Sequence, residues 1–152
     1  VDTGALVRDV IEMAAPPEGV TIAVAPDLPV IQAERVPLQQ VFLNLVGNAV
    51  KHSRTARPDV RVGVGWRDAG DAVEFLVSDN GPGIAPEYHE RIWEIFQTLE
   101  ARDKVEGTGI GLSVVKKIVD TRGGRAWVES VPPHGATFGF AWPKTPRPGP
   151  GA

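Results

Sequence analysis

The chain has 152 residues, 42% of them hydrophobic, with 16 Lys and Arg against 19 Asp and Glu for a net charge of -3; that suits one domain with a real core and leaves little room for two. No block of five like charges occurs, so neither nucleic acid nor membrane contact is expected of this segment. The lack of any Cys excludes a disulfide framework, a thiolate metal site and a Cys nucleophile, and three isolated His do not make a zinc cluster.

In chain order, Leu6, Val7, Val10, Ile11 and Met13 recur at helical spacing and predict a helix from Thr3 to Ala15, capped by Asp2 or Thr3 and stopped by Pro16 and Pro17. Thr21 to Ala25 and Val30 to Gln32 read as short strands around a Pro26, Asp27, Pro29 turn. Pro37 to Ser53 has no breaker except Gly47 and a broad apolar face, so it predicts a long helix. Val60 to Arg67 and Val73 to Val77 alternate apolar with polar or Gly residues about a turn at Ala69, Gly70 and Asp71, the pattern of a hairpin. Asn80 to Gly111 is rich in Gly and predicts a long, functional loop with one helical piece from Pro86 to Phe96. A helix from Ile110 to Thr121, ended by Gly123 and Gly124, precedes two strands, Arg125 to Val131 and Ala136 to Trp142. The expected division is a domain over residues 1–143 and a solvated tail or linker over residues 144–152.

Three groups of residues carry chemistry. On the long helix, Gln40, Asn44, Asn48 and Lys51 fall within an arc of roughly 80° at 100° per residue. A solvated face would use better helix formers than two Asn and a Gly. An Asn amide oxygen can complete the octahedral shell of Mg²⁺ beside phosphates, and a Lys one turn on can meet a phosphate. Asp79 ends a hairpin strand on the face of Val73, Phe75 and Val77, so its carboxylate points towards the core and needs a partner. It can accept an exocyclic amine such as that of adenine, with Gly81 and Gly83 allowing close approach, although Asp-Asn-Gly-Pro-Gly is also an ordinary turn composition. Gly107, Thr108, Gly109, Ile110 and Gly111 run into a helix, where converging amides suit an anion; without a P-loop Lys or a preceding strand this cluster alone is weak.

Taken in order, NLVGNAVK, DNGPGI, IWEIF and GTGIGL resemble the N, G1, F and G2 boxes of the catalytic ATP-binding domain of sensor histidine kinases, in the superfamily of gyrase, the Hsp90 chaperones and MutL. The resemblance runs from about Asp2 through Pro143 and includes the paired strands of RGGRAWVESVPPHGATFGFAWP. It implies an α/β (α+β) two-layer sandwich: a mixed, largely antiparallel sheet with helices on one face and a mobile lid over ATP. It implies that Asn48 holds Mg²⁺ with Asn44 beside it, that Lys51 reaches the phosphates, and that His52 stacks where the family has Tyr or Phe. Asp79 would read the adenine amine with Thr137 supporting it through water, and Gly81, Gly83 and Ile84 would line the base. Gly107, Thr108, Gly109, Ile110, Gly111 and Leu112 would border the triphosphate. Phe96 would anchor a lid from Leu99 to Gly107 whose Arg102 and Lys104 approach the phosphates.

The resemblance further implies ATP and Mg²⁺ as cofactors and transfer of the γ-phosphoryl group to a His on a dimerisation domain of the same or a partner kinase, with a response regulator downstream. A cytoplasmic location is expected, compatible with a membrane anchor elsewhere in a longer protein. None of His52, His89 and His134 sits where a phosphoacceptor would. Trp93 and Ile95 replace the common Phe and Pro of the F box. Asn44 stands where hydrolytic and serine-kinase relatives carry Glu, and an amide cannot take a proton. That disfavours the alternatives of an anti-sigma-type serine kinase or an ATPase; a nucleotide-binding regulatory module without turnover is the other alternative.

Overall fold

The computed structural model describes residues 1–54, 58–93, 108–130 and 134–144, with residues 108–110 as backbone alone. Asp2 caps the first helix, α1 (Thr3–Ala14), by accepting from the Ala5 amide at 3.2 Å, which satisfies one of the donors a helix start leaves over. Ala15 turns left-handed, returns its N–H to Ile11 and ends the helix before the two prolines. Then follow β1 (Val20–Val24), α2 (Arg35–Arg54), β2 (Val60–Asp68), β3 (Ala72–Asp79), two single 3₁₀ turns (Pro86–Tyr88 and Arg91–Trp93), α3 (Thr108–Thr121), β4 (Arg125–Ser130) and β5 (Ala136–Pro143).

The five strands form one sheet in the order β1-β2-β3-β5-β4, parallel between β1 and β2 and antiparallel elsewhere. Alternation places Val62, Val64, Val73, Phe75, Val77, Phe138 and Phe140 on the face covered by the helices, where all are buried. α2 lies across β2 and β3 between α1 and α3, and its Phe42 meets Phe75 and Phe140 edge-on at 5.2 and 5.3 Å. This is the two-layer sandwich expected. Among the described residues no helix is long and apolar enough to cross a membrane.

Two expectations are corrected. Val30 to Gln32 forms no strand; Val30 makes one isolated bridge with Asp2, because the segment spends its backbone groups on the two ends of the fold. Ile31 pairs with Val1, and the Gln32 amide donates to the Lys144 carbonyl at 3.3 Å. Pro86 to Phe96 does not begin as one helix. His89 is tied back to the Ile84 carbonyl at 2.8 Å, and the chain then drops Trp93 into the core against Phe138; residues 94–96 lie outside those described. Lys144, the last described residue, bonds Asp71 through its backbone and Asp68 through its ammonium group.

Candidate nucleotide site

At one end of the sheet, α2, the loop after β3, the start of α3 and the start of β5 converge. α2 supplies Asn44 and Asn48, half-buried, and Lys51, exposed. The same face carries Gly47, where an added Cβ would meet nothing within 4 Å. The polar stripe is thus an open window in a helix whose other sides are packed. His52, half-buried, donates towards the Gly83 carbonyl at 3.4 Å. Helix α3 begins at Thr108, so Thr108, Gly109, Ile110 and Gly111 form its first turn and bring the positive end of its dipole here. A Cβ on Gly111 would stand 3.5 Å from the Asn44 amide, so this turn lies directly against the stripe. Leu112, one residue on, is buried.

Asp79 is the centre of the constellation. Its Oδ1 accepts from the Gly81 amide at 2.9 Å and the Ala136 amide at 3.2 Å, which stitches the loop and β5 to the end of β3. Its Oδ2 is buried and has no hydrogen-bond partner among the described residues. A buried carboxylate oxygen without a donor costs stability, and an exocyclic amine is the kind of group that fits it. Gly135 makes this approach possible: it has φ of +75°, and a Cβ there would lie 2.1 Å from the Asp79 carbonyl oxygen.

The loop beyond Asp79 is held on every side. Asn80 bonds the Arg61 amide and the Asp59 carbonyl. The Ile84 amide donates to Ser130 Oγ at 2.8 Å, and that hydroxyl donates to the Gly135 carbonyl at 2.6 Å. Gly81, Gly83 and Ile84 are therefore presented as a rigid rim beside Asp79. Ser130, His89, Gly135 and Ala136 were not anticipated as parts of this site. Of these, only Gly135 had a readable signal, a Gly closing the turn before a strand.

One expected residue is misplaced. Thr137 pairs with Ser78 across β3 and β5, and their hydroxyls meet at 3.0 Å on the sheet face opposite the helices. It does not reach Asp79; the neighbouring Ala136, which has no hydroxyl, does so through its amide. Phe96, Arg102, Lys104, Gly107 and the expected lid from Leu99 to Gly107 lie outside the described residues.

Residues 33–146 match the family model described as histidine kinase-, DNA gyrase B-, and HSP90-like ATPase. The chain belongs to this family. Within the ATPase family it is similar to the phytochrome-like protein Cph1 of Synechocystis, 43% identical over 117 residues that cover 76% of this chain and 15% of that protein. Full-length ShkA, solved in complex with AMPPNP, superimposes with a TM-score of 0.80 at 34% identity and covers 99% of this chain and 32% of its own. The catalytic domain of the histidine kinase ThkA, in a nucleotide-free form, gives 0.78 at 27% identity over 97% of both chains. ThkA in complex with the response regulator TrrA gives 0.75 at 26% identity, covering 95% of this chain and 41% of that one. This ATPase-family domain thus spans about a seventh of Cph1, and about the whole of the ThkA catalytic domain.

Proposed function

We propose that this chain is the ATP-binding catalytic domain of a two-component sensor histidine kinase, working in the cytoplasm, where ATP is available. It binds MgATP and presents the γ-phosphoryl group to a His on a dimerisation domain of the same or a partner kinase, with a response regulator downstream. The observation that carries the reading is the buried, unpartnered Asp79 Oδ2 at the end of a polar window of Asn44, Asn48 and Lys51. Adenine supplies the missing donor, and the window and the first turn of α3 suit the triphosphate. The nucleotide bound to ShkA and the regulator bound to ThkA support it.

In this reading Asn48 offers Mg²⁺ a neutral amide oxygen, a hard donor that leaves the other positions to phosphate and water. The ion, when bound, offsets phosphate charge as it develops on transfer. Lys51, exposed at the end of the stripe, meets the phosphates, and Arg102 and Lys104 add charge to them. Asn44 positions without taking a proton, so the isolated chain hydrolyses ATP slowly; an imidazole acceptor needs less help, being itself a nucleophile. This separates the kinase reading from a serine kinase or an ATPase.

Titration calorimetry of Asp79→Asn with ATP and GTP tests the purine assignment. The substitution sets a donor opposite the adenine amine and is expected to weaken ATP by about 1–3 kcal/mol while changing GTP little. Equal changes for the two nucleotides would assign Asp79 to the turn alone.

A further inference from the structure

Near the C-terminal end of α2, directly after His52, Ser53 is wholly buried, and its Oγ has no hydrogen-bond partner among the described residues. Helical serines commonly return the hydroxyl to the carbonyl four residues back, and Ser53 does not. A buried hydroxyl left in this way destabilises the fold, so the position has another use.

The second buried, unpartnered oxygen is Oδ2 of Asp79, whose carboxylate lies near Ser53 through its other oxygen. A Cβ built on Gly81 would stand 2.9 Å from Ser53 Oγ and 3.1 Å from Asp79 Oδ1. The hydroxyl and the carboxylate thus flank the same glycine, on the rim where the purine is placed. Ala136, which touches Asp79 from β5, brings no hydroxyl of its own.

We propose that Ser53 is a further purine-binding residue of this site, addressing ring N1 on the Watson–Crick edge beside Asp79. Asp79 Oδ2 accepts from the amine on C6. The Ser53 hydroxyl donates to ring N1, directly or through one water. Adenine presents a donor beside an acceptor along this edge, whereas guanine presents an acceptor beside a donor; the Asp79 carboxylate, an acceptor only, rejects guanine at O6, while the Ser53 hydroxyl, which can donate or accept, adds a hydrogen bond at N1. The inference rests on the nucleotide reading above and adds N1 to it.

Binding of ATP and of 1-deaza-ATP, which lacks the N1 acceptor, distinguishes the two levels. The unmutated chain is expected to bind ATP about fivefold more tightly than 1-deaza-ATP, the worth of one neutral hydrogen bond. Ser53→Ala is expected to erase that preference by weakening ATP alone, and to leave the nucleotide-free melting temperature unchanged or higher. Loss of both nucleotides alike, retention of the preference, or a lower melting temperature would show the hydroxyl to be structural and overturn the inference. Failure of the unmutated chain to bind ATP at all would overturn the reading beneath it as well.

Discussion

Asp79 divides its two oxygens between folding and recognition. Oδ1 closes the loop onto the strand and joins β5 to it, while Oδ2 is left for a ligand. Its neighbours on β5 show how finely this depends on register. Ala136 faces Asp79 and Thr137 faces Ser78, because a shift of one residue along a strand moves a side chain to the other face of the sheet. Thr137→Val is therefore expected to leave ATP affinity unchanged and to cost about 1 kcal/mol of stability or less through the Ser78 hydroxyl; a loss of ATP affinity in calorimetry would return Thr137 to the site. The carboxylate at Asp79 was legible from alternation along β3. The parity of β5 was not, since it is set by how the turn before it closes, and the burial that isolates Ser53 depends on how α2 seats against that loop. The Gly70 amide, and then the Lys144 ammonium group, bond Asp68 and hold its carboxyl below the usual carboxylate range. A pKa lowered by folding adds stability above the unfolded value and loses it as pH falls through the folded one. An NMR titration should thus place Asp68 below an ordinary Asp, and Lys144→Ala should raise its midpoint.

Among the elements, α2 couples the core to the site. One side seats Phe42 on the adjacent rings of Phe75 and Phe140, and the roughly opposite side carries Asn44, Asn48 and Lys51. Phe42→Ala is expected to cost about 3–5 kcal/mol in denaturant unfolding, the usual loss for a buried aromatic; at a nucleotide concentration well above Kd, part of that loss should be recovered. This helix and the β2–β3 hairpin were readable in the sequence because periodicity, breakers and turn residues agree there. Val30 to Gln32 and Pro86 to Phe96 were misread for the opposite reason. The first is shaped by long-range partners, Val1 and Lys144, and the second by the side-chain tie of His89 to Ile84 and by distant Phe138, and no helix or strand periodicity announces such ties.

At the scale of the molecule, the first and last described residues meet. Val1 and Lys144 bond the adjacent residues Ile31 and Gln32, so the two ends lie side by side. A circular permutant that joins residue 144 to residue 1 through a short Gly-Ser linker, and opens the exposed turn between Ala69 and Gly70, is expected to fold and bind ATP as the parent does, as checked by thermal melting and calorimetry. Loss of cooperative melting would mean that the two ends are not held as described.

That seam lies at the opposite end of the sheet from Asp79. β5 covers the distance in its 8 residues, from Ala136 beside the carboxylate to Pro143 beside the seam, about 23 Å at ~3.3 Å per step. Whatever is joined to residue 1 or to residue 144 therefore holds the domain by its remote end, as a hand holds a hammer. A rotation of a few degrees at this fulcrum carries the site through several times the displacement it causes at the seam. A nucleotide held beside Asp79 would travel with the sheet as the head of a lever.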